Sequence, residues 1–385
     1  MKMEAYFDNA ATTKVLPQVK DLMVKIMEED FGNPSSLHMK GVDAEKYVRQ
    51  GRETLARLWK VDKSEIIFTS GGTESNNMAI IGAARAHEKE GHRVITSAVE
   101  HASVANPFKY LEEQGFDVVR IGVDERGIVK LDELEAALND DTILVSIMYV
   151  NNEVGAVMPV KDIADMVHDI CPKAVFHVDA IQAFGKFRLY PKRMGIDLMS
   201  VSGHKIHGPK GSGALFVKRG TRIVPIILGG GQQQGYRSGT ENVPAIAGMC
   251  LAAEIADKEM DERCAHMKAL KDRLISGLTE LEGVYSNSGE ACHIASISFT
   301  GVRSEIMLHT LENSGIYVSS GSACSSNKTQ NRNLSSTLHA MGLSPERLES
   351  TLRFSFAYDN TEEQVDYAIN VIKKELPVLR KYVRK

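Results

Sequence analysis

The chain has 385 residues, 43% of them apolar and 25% charged, and a formal net charge of −4. That length suggests two or three domains, the balance is that of a globular enzyme, and the charge gives no reason to expect nucleic-acid binding. No apolar run approaches the roughly 18 residues a membrane helix needs. The start, Met1 to Asn9, has no apolar signal core, so a cytoplasmic location is expected.

From about residue 50 to 220, short β-rich runs alternate with helical stretches. Strands are predicted at Glu65–Thr69, Arg93–Thr96, Val118–Ile121, Ile143–Ile147, Val175–Val178 and Leu198–Val201, and helices at Ser75–Glu90, Leu131–Leu138 and Val160–Ile170. Such alternation predicts an α/β domain with a largely parallel sheet covered on both faces. Ligands in such folds sit outside the carboxyl ends of the strands.

Residues 241–281 read as long helix. Then Ala295, Ile297 and Phe299 alternate with Ser296 and Ser298, predicting a half-buried strand. A helix at Ser304–Asn313 and a strand at Ile316–Ser319 follow. Another alternating strand sets Leu352, Phe354 and Phe356 opposite Thr351, Arg353 and Ser355. The last helix opens with a capping box, Thr361 to Gln364, and buries Val365, Ala368, Ile369, Ile372 and Leu376. The expected division is a large domain over 15–255 and a smaller α+β domain from 1–14 and 256–385.

Residues 319–336 carry almost nothing apolar and are expected to be a mobile surface loop, with Cys324 inside it. The other cysteines are Cys171, Cys250, Cys264 and Cys292. An odd number, scattered and without C-x-x-C, argues against a disulfide framework or structural zinc and directs attention to a reactive thiol.

Lys205 lies in a Gly/Pro-rich turn, Gly203 to Gly213, between two apolar strands. A lysine is ordinarily a solvated surface charge. One fixed between core strands is placed for Schiff-base chemistry. His204 and His207, a lone pair without a third ligand, are discounted as a metal site. Asp179 ends a predicted strand at the ligand-binding edge. It is either a helix-capping aspartate or the acid facing the pyridine nitrogen of pyridoxal 5'-phosphate, where its charge favours the electron-sink form of the ring. Gln182 stands where it could reach the ring hydroxyl. The strand–glycine turn–helix sequence Ile66 to Ser75 offers free amides and the Thr73 hydroxyl to a phosphate, with Ser202 and His204 as further candidates.

With Tyr6-Phe7-Asp8-Asn9-Ala10-Ala11-Thr12-Thr13, Phe31-Gly32-Asn33-Pro34-Ser35-Ser36, Ser70-Gly71-Gly72-Thr73-Glu74-Ser75-Asn76, Glu100-His101, Asn151-Asn152-Glu153-Val154-Gly155, Asp179-Ala180-Ile181-Gln182, Gly203-His204-Lys205, Arg237-Ser238-Gly239-Thr240 and Ser319-Ser320-Gly321-Ser322-Ala323-Cys324, the sequence closely resembles the cysteine desulfurases. These belong to the class-V aminotransferase group of fold-type-I pyridoxal-phosphate enzymes. The resemblance runs nearly end to end.

It implies a mostly parallel seven-stranded sheet in the large domain and cleavage of L-cysteine to L-alanine, with the sulfur held as a persulfide on Cys324. By it, Lys205 carries pyridoxal 5'-phosphate, His101 stacks on the ring and moves protons, Asn152 bonds near the ring hydroxyl, and Gly72 and Thr73 hold the phosphate. Arg353 and Asn33 bind substrate. Thr240 reaches the phosphate of a neighbouring subunit, which implies a homodimer with shared sites. The expected sulfur acceptor is an iron–sulfur scaffold protein or a thiolation enzyme.

Gln232, Gln233 and Gln234 depart from a pattern that often has a charged residue here. The sequence runs to Arg384-Lys385, just after the last predicted helix, whereas some relatives carry a further tail that docks an iron–sulfur scaffold, so that partner is not assumed from the resemblance. A selenocysteine lyase or an aminotransferase on the same fold, and a non-catalytic sulfur-carrier subunit, are the alternatives. Cys324 counts against an aminotransferase, and Lys205, Asp179 and Arg353 together count against a degenerate carrier.

Overall fold

The computed structural model describes residues 3–320 and 335–382. A strand, β1 (Ala5–Tyr6), and two helices, α1 (Pro17–Glu28) and α2 (Met39–Trp59), precede the alternating part. That part runs β2 (Ile66–Thr69), α3 (Gly72–His87), β3 (Arg93–Ser97), α4 (Ala102–Glu113), β4 (Asp117–Ile121), α5 (Leu131–Ala137), β5 (Thr142–Met148), α6 (Val160–Ile170), β6 (Val175–Asp179), β7 (Leu198–Ser202) and β8 (Gly213–Val217). The seven strands β2 to β8 form one sheet in the order β2-β8-β7-β6-β5-β3-β4. Only β8 runs against its neighbours, antiparallel to both β2 and β7. Strands β2, β5, β6, β7 and β8 are buried along their whole length, as a sheet covered on both faces requires.

The helix predicted at Ser75–Glu90 starts instead at Gly72, so the glycine turn abuts its first N–H groups. The single helix expected near 241–281 is two, α7 (Val243–Lys258) and α8 (Met260–Thr279), separated by Glu259 at φ −105°, ψ 10°. One straight helix cannot serve two cores. Ile246, Met249 and Ala253 of α7 pack in the large-sheet core, whereas Met267, Leu270, Leu274 and Leu278 of α8 pack in the second.

The remaining elements are β9 (Val284–Ser286), β10 (Ile294–Phe299), α9 (Ser304–Asn313), β11 (Ile316–Tyr317), β12 (Ser319–Ser320), α10 (Ser336–Ala340), α11 (Pro345–Glu349), β13 (Thr351–Ser355) and α12 (Glu362–Tyr382). Strands β12-β13-β10-β9 make an antiparallel sheet, and β1 pairs in parallel with β11. The strand predicted at Ile316–Ser319 is thus split between two sheets. The α12 capping box forms through Gln364 N–H to Thr361 Oγ1 (3.2 Å) and Thr361 N–H to Gln364 Oε1 (3.0 Å). All the side chains predicted for its buried face are buried.

Strands β10 and β13 are not half-buried as predicted; both faces are covered. The polar face is satisfied internally. Ser298 Oγ and Thr351 Oγ1 lie 2.7 Å apart, Asn287 donates to Ser298 Oγ at 2.9 Å, and Ser355 Oγ accepts from the Ala10 amide at 2.8 Å. The alternation therefore marks a face turned toward other chain segments rather than water.

Within the expected loop 319–336, Ser319 and Ser320 belong to β12, and Ser335 caps α10 by accepting from the Leu338 amide at 3.0 Å. Cys324 lies outside the described residues. No helix among the described residues is long and apolar enough to cross a membrane.

Candidate active site

Strands β6 and β7 end at Asp179 and Ser202, side by side at the carboxyl edge of the sheet. Lys205 follows in a short helical turn, Gly203–Lys205, pinned by the Gly203 amide on the Ser212 carbonyl (3.0 Å). Its Nζ donates to the carbonyls of Ala10 (2.5 Å) and Ala11 (2.7 Å). Burial is the main force lowering its pKa, to about 8; Arg353 and Lys186 add to it, against Asp8 and Asp179. Such an amine has a substantial neutral fraction near neutral pH, which an ordinary lysine lacks.

The Asp179 carboxylate accepts from the Asn76 carboxamide at 2.8 Å and from the Ile181 amide at 3.0 Å. The second bond is the local turn expected of a capping aspartate; the first comes from helix α3 and is not local. Burial pushes the Asp179 pKa up, opposed by the Ile181 amide, His101, Asn76 and Lys205. A buried carboxylate raised in this way lacks a full counter-charge.

His101 caps α4, its Nδ1 accepting from the Ser103 amide at 3.1 Å, and it lines a cavity of about 490 Å³ with Thr73, Asn77, Ser103 and Tyr110. Desolvation lowers its pKa, opposed by Asp179 and assisted by Lys205 and Arg353. The imidazole is therefore held neutral.

The glycine turn is built for close approach. Gly71 has φ +150°, in the range that favours glycine. A Cβ on Gly72 would lie 2.1 Å from Ile181 Cδ1, and Ser202 Cβ is 3.7 Å from the same position. Ser202 therefore sits against the turn, and Thr73, in the first turn of α3, is exposed beside it. Thr240 is exposed and lines a separate cavity of about 110 Å³ with Ser70, Ser212 and Arg237.

Arg353 is buried, where an isolated strand arginine would be solvated. It donates from Nη2 to Asp8 Oδ1 (2.7 Å) and from Nη1 to the Asn152 carbonyl (2.9 Å), while Nε has no partner among the described residues. Gln182 donates to the Ala10 carbonyl at 3.0 Å and faces His293 Nε2 at 3.2 Å. His204 Nδ1 lies 3.3 Å from Thr12 Oγ1, and His207 Nδ1 lies 2.8 Å from the Lys14 carbonyl. Asn33 is exposed and closes its own turn, accepting from the Ser35 amide at 3.0 Å. The structure thus gathers Lys205, Asp179, Gln182, His101, Asn152, Ser202, His204 and Arg353 around one crevice edge. It gives Asn33 and Thr240 no hydrogen bond to that group.

Sequence reasoning assigned no role to the segment Asp8–Thr13, which threads the site: Asp8 holds Arg353, Ala10 and Ala11 hold Lys205, and Thr13 Oγ1 accepts from the His207 amide at 2.7 Å. A run of small and polar residues directly after buried Phe7 was the available signal. Asn76, Lys186 and Glu100 were also missed, because Asp179, Lys205 and Met148, which they meet, are distant in sequence. Glu100 is buried, accepts from Ser97 Oγ (2.5 Å) and the Met148 amide (3.0 Å), and is raised by burial to about 8.

These residues fit pyridoxal 5'-phosphate. Asp179 lacks the cation that a protonated pyridine nitrogen supplies, the Gly71–Gly72 turn, with Gly72 packed too tightly against Ile181 to carry a side chain, presents its backbone, and the Lys205 amine, within electrostatic reach of Asp179, has its pKa lowered to about 8. Among the described residues, no group of three or more His, Cys, Asp and Glu side chains is placed to hold a metal ion.

The aminotransferase class-V family pattern matches residues 5–368. A protein of Archaeoglobus fulgidus named cysteine desulfurase IscS 1 is 40% identical over 378 residues, covering 97% of each chain. One of Vibrio atlanticus named cysteine desulfurase IscS is 44% identical over 388 residues, covering 99% of this chain and 94% of that one. A solved structure described as a NifS-like protein superposes with a TM-score of 0.92 at 39% identity, covering 98% of this chain and all of the other.

Proposed function

The chain belongs to the class-V aminotransferase family, and from that premise we propose that it is a cysteine desulfurase, taking sulfur from L-cysteine as a persulfide on Cys324 and releasing L-alanine. The observation that carries the reading is the segment Asp8–Ala11, which holds two groups at once. Ala10 and Ala11 hold the Lys205 amine, and Asp8 grips the Arg353 guanidinium. A nucleophilic amine and a carboxylate-binding fork are thereby fixed to one short stretch, as an enzyme acting on a free α-amino acid requires.

Lys205, Asp179, Gln182, His101, Asn152, Gly72, Thr73, Ser202 and His204 would hold the pyridoxal phosphate, with Thr240 supplied by the second copy of a homodimer. When bound, that group supplies an electron sink for charge developing at the substrate Cα. Arg353 binds the substrate carboxylate with its guanidinium fork, displacing part of the Asp8 contact. The Lys205 amine accepts the Cα proton and returns it to the substrate carbon skeleton. With Nδ1 of His101 accepting from Ser103, its Nε2–H is the donor left for the substrate sulfur. The Cys324 thiolate attacks that sulfur, forming the S–S bond as the carbon–sulfur bond breaks. The receiver of the persulfide sulfur is an acceptor protein of the cytoplasm, an iron–sulfur scaffold or a thiolation enzyme.

The test is alanine release from cysteine by wild type and Cys324→Ala, with mass spectrometry of the Cys324 peptide for an added sulfur. The reading expects near-complete loss in the variant and a persulfide in wild type. Equal alanine from both, without a persulfide, would overturn it.

A further inference from the structure

A continuous chain of hydrogen bonds runs from Asp179, at the end of β6, to His101, at the start of α4. Its two links are Asn76 on α3 and Ser103 on α4. The Asn76 carboxamide nitrogen donates to Asp179 Oδ2 at 2.8 Å and to Ser103 Oγ at 2.9 Å. Ser103 Oγ lies 2.8 Å from His101 Nδ1, and the Ser103 amide donates to the same ring nitrogen at 3.1 Å. Asp179, Asn76 and Ser103 are all buried, whereas His101 lines the open cavity with Thr73 and Asn77.

Chemistry fixes the direction of each bond. A carboxylate offers only lone pairs, so Asp179 takes an Asn76 N–H and turns the amide oxygen away. Asn76 Oδ1 is accordingly buried with no partner among the described residues. Leaving a buried acceptor unmade is costly, and it persists here because both N–H groups are engaged elsewhere. Ser103 Oγ receives one of them, which leaves its own O–H to donate. The nitrogen it faces also receives the Ser103 amide, so Nδ1 carries a lone pair and no proton. We propose that Asn76 and Ser103 are positioning residues that lock His101 in the tautomer with its proton on Nε2 and tie that lock to the Asp179 carboxylate. The inference deepens the desulfurase reading, on which the use of Nε2–H toward the substrate sulfur rests.

The order of control runs inward to outward. Asp179 sets the amide, because a flipped Asn76 would hold Oδ1 against a carboxylate. The amide sets the Ser103 hydroxyl, and the hydroxyl sets the ring. A group assigned to the cofactor nitrogen and a group assigned to the substrate are thereby held by one buried network. Three charged groups act on the ring from other elements: Asp179 of β6, Lys205 of the turn after β7 and Arg353 of β13. Glu100, its chain neighbour, is turned to Ser97 and the Met148 amide. Those charges bear on whether the ring is protonated. Ser103, which alone among the described residues hydrogen-bonds the ring, decides which nitrogen carries the proton. Donation to the Nδ1 lone pair also favours the neutral ring, so loss of the hydroxyl raises the His101 pKa.

The experiment follows the ring nitrogens of histidine-labelled holoenzyme by NMR across pH, with the His101 signals identified by their loss in His101→Gln. Wild type is expected to show a neutral ring protonated on Nε2. Ser103→Ala should raise the titration midpoint by about half a unit to one unit, the worth of one hydrogen bond, and weaken the tautomer preference. Ser103→Thr keeps the hydroxyl and should titrate as wild type. Asn76→Ala should shift the midpoint in the same direction as Ser103→Ala, because the released hydroxyl is free to turn from the ring. An unchanged midpoint and tautomer in Ser103→Ala, a shift that Ser103→Thr does not restore, or an Asn76→Ala ring identical to wild type would overturn the proposal. The signals report the resting protein and not turnover, so their outcome is separate from that of the alanine and persulfide assays.

Discussion

Arg353 and Asp8, at opposite ends of the chain, meet at 2.7 Å, and the guanidinium they share with the Asn152 carbonyl is buried. A buried arginine needs such partners, and its Nε–H finds none among the described residues.

Arg353→Lys keeps the charge and loses the fork. The expected outcome is a KM for cysteine raised roughly tenfold to a hundredfold, the worth of a charge-assisted bond of about 1.5–3 kcal/mol, with the absorbance of the bound cofactor unchanged. Steady-state kinetics beside the spectrum check it. An unchanged KM would return Arg353 to a purely structural role.

Lys205 is expected to be the residue labelled when the holoenzyme is reduced with borohydride and its peptides are mapped. With a folded pKa of about 8, the neutral amine grows as pH rises toward 8 and saturates above it. The rate at which apoprotein takes up pyridoxal phosphate should follow that curve. A rate still climbing steeply beyond pH 9–10, as for an ordinary lysine of pKa about 10.4, would show that the site does not depress this amine.

Among the described residues, Asn76→Ala removes the only side-chain donor on the Asp179 carboxylate. Loss of one such bond to a charged group costs about 1.5–3 kcal/mol, so cofactor affinity should fall by tenfold or more while the thermal unfolding of the apoprotein changes little. Equilibrium dialysis of the cofactor measures the first and calorimetry the second.

Gly72→Ala places a methyl 2.1 Å from Ile181 Cδ1. Overpacking of this kind costs about 1–3 kcal/mol, and the turn must move. Weaker cofactor binding is expected, restored in part by Ile181→Ala in the double variant. Failure of the double variant to recover would point to backbone conformation rather than the clash.

Glu100 gives a pH signature in stability. Its folded pKa, about 8, lies above its ordinary value of 4.5 because burial disfavours the charged form. The folded state keeps the proton that the unfolded state releases, so this contribution is full below pH 4.5 and is lost as pH rises to about 8. Glu100→Gln should flatten the decline of Tm across that window. An identical decline in wild type and variant would mean that another group sets it.

Local sequence patterns carry most of the elements and the chemical inventory, though not the break at Glu259 or the division of residues 316–320 between two sheets. Period-two and period-3.6 patterns located the strands of the large sheet and the buried face of α12, and the turn chemistry around Gly71 and Lys205 marked the crevice edge. Local rules reach that far because they depend on neighbours a few residues away. Tertiary structure decided what lay beyond them. The serines of β10 and β13 looked solvent-facing because alternation reports polarity, not exposure, and only the packed N-terminal segment and Asn287 turned that face inward. The pairings Asp8–Arg353 and Asn76–Asp179 link residues whose separation in the chain carries no signal. Their geometry exists only once both cores have closed, because burial supplies the low-dielectric surroundings that shift Lys205, Asp179 and Glu100 from their ordinary pKa values.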